Sequence, residues 1–114
     1  MIKRSVAIGW VFALAAGAAR AEDAGAGKAI YAEHCIVCHG IKGAGNGPSG
    51  RALNPKPLNF ITSTADQSQW FEATKRGTEA VGKSKNMPEY GSKLSDRQIR
   101  TVLAYVNTLK LKQP

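Results

Sequence analysis

The sequence is poor in residues that bind metals through nitrogen or sulfur. Its 114 residues include two cysteines, two histidines and two methionines. Both cysteines and both histidines lie in one short stretch, HCIVCH, at residues 34–39. A structural zinc site normally takes its four ligands as two pairs from separate segments. Because no second segment carries a cysteine or a histidine, the sequence argues against a zinc-stabilised domain.

Long hydrophobic runs are also missing. The most apolar stretch, VAIGWVFALAAGAA at residues 6–19, has 14 residues, whereas a membrane-spanning helix needs about 18 or more. It follows two basic residues and leads into Ala19-Arg20-Ala21, an order that is typical of a secretory signal peptide. We therefore expect residues 1–21 to be removed and residues 22–114 to form one exported, periplasmic domain. An uncleaved membrane anchor is the alternative.

No block of basic residues suggests nucleic-acid binding. Without Lys3, Arg4 and Arg20, 13 of the 16 basic residues remain against 8 acidic ones, a net charge of +5, and they are scattered along the chain. Such a surface serves either solubility or transient docking on an acidic partner, since charge of this kind mainly raises the association rate. The remaining domain is small, and it would bury only about 60–65% of the surface of its unfolded chain. It therefore needs a staple or an internal ligand.

Helical periodicity dominates the rest of the sequence, which has neither internal repeats nor strand-like alternation. A first helix is predicted over residues 23–39. Three residues at four-residue spacing share one of its faces: Gly27, Tyr31 and Cys35. Residues 40–57 are rich in glycine and proline, and residues 78–93 also read as loop. Loops of this length are uncommon in a compact domain unless they enclose something, so we expect an object in the interior.

Two further helices have clear end signals. A helix over residues 67–76 would begin after a capping Asp66 and end at Gly77. The last helix starts with a capping box formed by Ser95 and Gln98. One apolar stripe follows along this helix: Ile99, Val102, Leu103, Val106 and Leu109.

The cysteine motif allows two interpretations besides zinc. A thioredoxin-like Cys-x-x-Cys begins a helix after a β-strand, but here a predicted helix precedes the cysteines and no strand does. Cys-x-x-Cys-His is also the attachment sequence of c-type haem. Two thiols on one helical turn reach the two vinyl groups on one porphyrin edge, and the histidine then lies over the iron. We therefore expect Cys35 and Cys38 to hold one covalent haem c, with His39 as an axial ligand.

Such a haem needs a second axial ligand or a deliberately open iron. His34 directly precedes Cys35, so it lies on the same side as His39 and cannot reach the opposite face. Met87 is the only methionine after the predicted signal peptide. It lies in a loop, and Pro88 restricts the backbone just past its sulfur. We expect Met87 to be the second axial ligand. A haem enzyme or gas sensor with an open iron is the alternative.

Five blocks of the sequence, in this order, match one family. They are CIVCHG, GAGNGP, PKPLNF, NMPEYG and LSDRQIRTVLAYVNTL, and together they extend from residue 35 to residue 109. On these motifs the chain resembles the mono-haem class I c-type cytochromes over residues 24–109. The resemblance implies an all-α, small cytochrome c fold, in which the N- and C-terminal helices cross and long loops enclose one covalent haem.

The resemblance also implies particular contacts. Gly27 and Tyr31 would pack against Val102 and Tyr105. A proline carbonyl would accept a hydrogen bond from Nδ1–H of the axial histidine and orient that ligand. The candidates for this role are Pro48, Pro55 and Pro57, of which Pro48 is preferred for its distance from the motif. Trp70 would fill the core, which is the preferred role, or it would pack on the haem or donate a hydrogen bond to a haem propionate.

The expected function is one-electron transfer without substrate chemistry, so the chain is predicted not to be an enzyme. Histidine and methionine ligation favours the ferrous state and a relatively high reduction potential. Lys42, Lys83 and Lys85 are candidate docking charges for an acidic face of a redox partner, either a dehydrogenase or an oxidase. The alternative is a dedicated cytochrome subunit held on a periplasmic dehydrogenase complex. Neither nucleic-acid binding nor stable membrane insertion after signal cleavage is expected.

Overall fold

The computed structural model describes Gly9 and residues 16–112, with side chains from residue 25 onward. This part of the chain is helical and contains no strand. It consists of four α-helices, α1 (Ala16–His34), α2 (Ile36–His39), α3 (Gln67–Arg76) and α4 (Asp96–Lys112), and two 3₁₀ turns, Gly50–Ala52 and Glu79–Val81. The prediction of an all-α fold is confirmed.

Most of the predicted signal peptide lies outside the described residues. Its last six residues, 16–21, belong to the first helix, which runs through the predicted cleavage point without a break. Removal of residues 1–21 stays a prediction. Within the part of the chain that the structure describes, no helix combines the length and the apolar character needed to cross a bilayer.

The first predicted helix is divided in two at Cys35. This residue has a φ of −115°, outside the usual helical range, and separates α1 from the single turn of α2. Hydrogen bonds of helical type continue across the junction, because Cys35 N–H donates to the Tyr31 carbonyl and His39 N–H donates to the Cys35 carbonyl, each at 2.9 Å. The prediction of helical structure over residues 23–39 was therefore correct, but the prediction of one continuous helix was wrong.

The other two helices have the predicted ends. At the start of α3, Asp66 accepts a hydrogen bond from Gln69 N–H and the Gln69 side chain accepts one from Asp66 N–H, both at 2.9 Å. The helix ends before Gly77, whose φ of 82° is readily adopted only by glycine. Ser95 and Gln98 form the same reciprocal pair at the start of α4, at 3.1 and 2.8 Å.

The first and last helices pack directly against each other. Gly27 permits this approach, because a Cβ atom there would lie 2.5 Å from the Thr101 carbonyl oxygen and 2.9 Å from Cβ of Tyr105. One turn later, the rings of Tyr31 and Tyr105 lie 5.4 Å apart between centroids. Tyr31 and Val102 are both buried in the same core cluster. The contacts expected between these helices are confirmed.

Buried side chains from three helices and from the two segments between α2, α3 and α4 form the core of the described residues. The whole apolar stripe predicted on α4 is buried, and other elements add to it: Tyr31 from α1, Phe60 from the first loop, Trp70 from α3, and Leu94 just before α4. Helix α3 also packs on α4. The two long loops complete the wall around the space that these helices leave between them.

Candidate functional site

A cavity of about 260 Å³ lies between the helices and the two long loops. Four residues that the sequence singled out line it together: Cys35, Cys38, His39 and Met87. His39 and Met87 are 48 positions apart in the sequence, and the fold brings them to one space. The rest of the lining is mainly apolar and comes from α1, α3, α4 and both loops. A large flat apolar cofactor with one metal ion fits this set of residues.

The two cysteines are free thiols and are not joined in a disulfide. Burial, with a smaller contribution from Cys38, raises the pKa of the Cys35 thiol to about 11. A redox-active or nucleophilic cysteine instead has a lowered pKa, because only the thiolate reacts. The site therefore lacks the electrostatics of a thioredoxin-like pair. Two thiols side by side on one wall of a cavity suit covalent attachment of a cofactor.

His39 is held in a defined orientation. Its side chain is buried, and its ring stacks on Phe60 with 4.5 Å between centroids and 20° between planes. Nδ1 lies 3.1 Å from the carbonyl oxygen of Leu58. Burial lowers the pKa of His39, and the hydrogen bond to Leu58 partly opposes this shift. A neutral ring that donates Nδ1–H to a carbonyl leaves the lone pair of Nε2 free to bind a metal.

The preference for Pro48 as the residue that orients His39 is corrected by the structure, which places Leu58 at Nδ1. Pro48 is exposed, and the N–H groups of the residues on either side of it are hydrogen-bonded to α2. Gly47 N–H and Ser49 N–H donate to carbonyl oxygens of α2 at 3.0 and 2.9 Å, so this part of the loop packs on the backbone of the turn. The loop returns later, after its last proline, to bring a carbonyl to the imidazole.

The segment that carries Met87 is fixed to the C-terminal end of α3. The last four carbonyl groups of a helix have no partner within it. Two of them, on Thr74 and Lys75, accept hydrogen bonds from the N–H groups of Tyr90 and Gly91, each at 3.0 Å. The loop therefore completes the hydrogen bonding of α3, and in return α3 fixes the position of the methionine.

A contact between His34 and Tyr90 closes another part of the wall. The Tyr90 hydroxyl donates to the His34 carbonyl at 3.2 Å, and the two rings meet edge to face with 5.7 Å between centroids. Both residues line the cavity. The sequence excluded His34 as a ligand on the methionine side and did not place it in the wall. Its position directly before Cys35 was the available signal.

Trp70 carries a buried hydrogen-bond donor without a partner. Its indole Nε1 is the one buried side-chain nitrogen or oxygen without a partner among the residues that the structure describes. The residue lines the cavity and packs its ring edge-on against Phe60, with 5.3 Å between centroids. A buried donor without an acceptor is costly. Trp70 belongs to the buried core, as preferred from the sequence, and a cofactor with carboxylate groups, such as haem with its propionates, would provide an acceptor for its indole N–H.

Two lysines border the cavity. Of the three predicted docking charges, Lys83 lies in the lining, and Lys42 and Lys85 are exposed on the two loops. Lys56, which the sequence did not single out, also lies in the lining and is exposed. The loops thus present two ammonium groups at the cavity and two more to solvent elsewhere along their length.

Comparison with known proteins agrees with this site. Residues 22–106 match the family described as cytochrome C oxidase, cbb3-type, subunit III. The chain is 32% identical over 87 residues to the Cbb3-type cytochrome c oxidase subunit FixP of Bradyrhizobium sp. (strain ORS 278), covering 76% of this chain and 28% of the relative. It is 31% identical over 97 residues to the subunit CcoP of Azospirillum brasilense, covering 79% and 30%.

A third relative gives the same result. The subunit CcoP of Azospirillum sp. (strain B510) is 30% identical over 105 residues, covering 88% of this chain and 33% of the relative. The chain thus spans about a third or less of the length of these proteins. With a family match over most of its length and the attachment motif in the wall of its cavity, the chain belongs to the family of cbb3-type cytochrome c oxidase subunit III and is a c-type cytochrome.

Proposed function

We propose that this chain carries one electron at a time on a single covalent haem c, attached through Cys35 and Cys38 and ligated by His39 and Met87. The observation that carries the proposal is that these four residues line one cavity of about 260 Å³. When bound, the haem supplies an iron that changes between the ferrous and ferric states without making or breaking substrate bonds.

The residues around the site have separate tasks in this proposal. The apolar wall keeps water and small oxidants away from the metal. The Leu58 carbonyl, 3.1 Å from Nδ1, holds His39 in the orientation that ligation needs. The thioether of Met87 is a soft ligand that favours the reduced iron and so raises the reduction potential. Trp70 donates its free indole N–H to a propionate.

We further propose that the chain works as a dedicated cytochrome subunit or domain of an oxidase complex in the periplasm. The family is described as an oxidase subunit, and so are the relatives. These descriptions favour a dedicated subunit over a freely diffusing carrier. They also favour an oxidase as the complex, whereas the alternative stated from the sequence named a dehydrogenase. Lys42, Lys56, Lys83 and Lys85 would contact acidic groups of the partner.

The ligation can be tested on the ferric holoprotein. Wild-type protein should contain one haem per chain and show the weak near-infrared sulfur-to-iron band. Met87→Leu should retain the covalent haem, because Cys35 and Cys38 are unchanged, and should lose the band, because no other methionine follows the predicted signal peptide. A wild-type spectrum without this band would overturn methionine ligation and favour an open iron.

The assembly can be tested by purification from membranes at increasing salt. A dedicated subunit should remain with its oxidase at high ionic strength, because stable interfaces are large and partly apolar. A diffusing carrier should dissociate, and its rate of electron transfer should fall steeply with salt. Release at moderate salt would contradict a dedicated subunit and indicate a freely diffusing carrier.

A further inference from the structure

Thr78 lies where the chain that leaves α3 meets the Met87 segment, and it also lines the cavity. The two residues are joined by hydrogen bonds in both directions. Thr78 N–H donates to the Met87 carbonyl at 3.1 Å, and Met87 N–H donates to Thr78 Oγ1 at 3.3 Å. The same hydroxyl donates to the carbonyl oxygen of Ser84. One side chain thus satisfies the backbone of Met87 and of the turn before it.

Thr78 is itself well anchored. Its carbonyl oxygen accepts hydrogen bonds from Val81 N–H at 3.3 Å and Lys83 N–H at 2.9 Å, which close the 3₁₀ turn that follows. These bonds tie Thr78 to the turn that directly follows the end of α3 at Gly77. Movement of the Met87 backbone away from its place has to break the bond to the Thr78 hydroxyl.

The neighbouring Gly77 brings the two segments into contact. It has a φ of 82°, and a Cβ atom there would lie 3.1 Å from the Glu89 nitrogen and 3.3 Å from the Met87 carbonyl oxygen. A side chain would therefore push the segments apart. The glycine sets the separation, and the threonine that follows it supplies the hydrogen bonds.

We propose that Thr78 is a positioning residue for the axial methionine and that its hydroxyl sets how often Met87 leaves the iron. The proposal rests on the proposed ligation by Met87. Thr78 acts through the backbone of Met87 and touches no reacting atom. An external ligand can bind only when Met87 is displaced, so its apparent affinity is proportional to the fraction of molecules in that state.

The test is an imidazole titration of the ferric holoprotein at fixed pH, followed by loss of the near-infrared sulfur-to-iron band. Thr78→Val retains the shape of the side chain and removes the hydroxyl, which leaves Met87 N–H and the Ser84 carbonyl without this partner. We expect imidazole to bind about five- to tenfold more tightly to this variant, the change expected for loss of one hydrogen bond. Thr78→Ser retains the hydroxyl and should have the wild-type affinity.

Thr101→Val is the matched control. The half-buried Thr101 donates its hydroxyl to the Arg97 carbonyl at 2.8 Å within α4 and does not line the cavity, so this variant removes a bond of the same type away from the cavity. Its imidazole affinity should equal that of the wild type. An equal affinity of Thr78→Val and wild type would overturn the proposal, and so would a similar gain in Thr78→Ser or Thr101→Val.

Two further outcomes are distinguishable. If Thr78→Val yields no holoprotein, Thr78→Ala compared with Thr78→Ser isolates the same hydroxyl. Failure of the alanine variant as well would assign the hydroxyl to folding and overturn the positioning role. If the wild-type protein has no sulfur-to-iron band, the proposed ligation itself fails. A wild-type band with unchanged affinity in Thr78→Val defeats only the inference about Thr78.

Discussion

Two buried nitrogen atoms near the cavity differ in their partners. His39 Nδ1 has the Leu58 carbonyl at 3.1 Å, whereas Trp70 Nε1 has no acceptor in the described structure. His39 Nδ1 has its hydrogen-bond partner within the protein, and this bond orients the imidazole ring. The second nitrogen has no partner among the described residues, so it is the donor that a bound cofactor could satisfy.

Trp70→Phe tests this role of the indole. The variant retains an aromatic ring against Phe60 and removes the N–H. If a propionate accepts that N–H, the free energy of unfolding of the holoprotein should fall by about 1–3 kcal/mol in a denaturant titration. In the wild type, the indole proton should also exchange slowly with solvent. If Trp70→Phe has the wild-type free energy of unfolding and the wild-type indole proton exchanges fast, Trp70 contributes only packing.

At this scale the sequence predicted residues whose side-chain chemistry is distinctive. Cys35, Cys38, His39 and Met87 were identified from their type and spacing, and the fold places all four in one cavity. The Leu58 carbonyl was missed because every residue has one, so nothing in the sequence marks the one that faces Nδ1. The position of Thr78 opposite Met87 depends on how two loops meet, which local patterns do not encode.

The contact between helices α1 and α4 stabilises the position of the attachment motif. Their contact holds the start of the attachment motif, because Tyr31 lies one turn before Cys35 and its hydroxyl donates to the Gly40 carbonyl at 2.5 Å, just beyond His39. A change in the distance between α1 and α4 would therefore be transmitted to the histidine turn. Gly27 is the residue that sets this distance.

A pair of glycine variants on α1 tests the contact between these helices. Gly27→Ala places a Cβ atom 2.5 Å from the Thr101 carbonyl oxygen, so the helices have to separate, at a cost of about 1–3 kcal/mol. Gly25→Ala is the control, because a Cβ atom there meets nothing within 4 Å. It should stabilise the helix by about 0.5–1 kcal/mol. Thermal unfolding of both holoproteins gives the comparison, and equal melting temperatures would contradict it.

The sequence predicted helices well where both ends carry local signals. α3 has its capping Asp66 and terminal Gly77 as expected, and α4 has its capping box and its buried stripe. The break at Cys35 was missed because the residues on both sides favour a helix and backbone hydrogen bonds continue across it. The direction of such a turn is set by its packing, and the local sequence does not specify it.

For the whole molecule, the cavity lies where other small domains have a continuous core. Residues from α1, α3, α4 and both loops line this space of about 260 Å³. A domain of this size buries only a modest part of its surface without an internal ligand. The cofactor is therefore part of the core, and the two long loops fold around it.

Replacement of both attachment residues tests this dependence. Cys35→Ala combined with Cys38→Ala should give a largely unfolded chain without native near-ultraviolet circular dichroism, because the cavity loses its covalent content. Cys35→Ala alone retains one thioether at Cys38 and should remain folded with haem. A native-like near-ultraviolet spectrum of the double variant in the absence of haem would show that the chain folds independently.

The raised pKa of Cys35 has a consequence for the order of events during biogenesis. In the folded chain, burial raises the pKa of the Cys35 thiol to about 11, so at pH 7 this thiol is ionised less often than an unburied cysteine. In an unfolded chain a thiol with a pKa of about 8.5 is ionised in about 3% of molecules. If reaction with the porphyrin vinyl groups proceeds through the thiolate, it is less favoured after the chain has closed. Haem attachment should therefore precede folding, and the chain should reach its partner with its cofactor already bound.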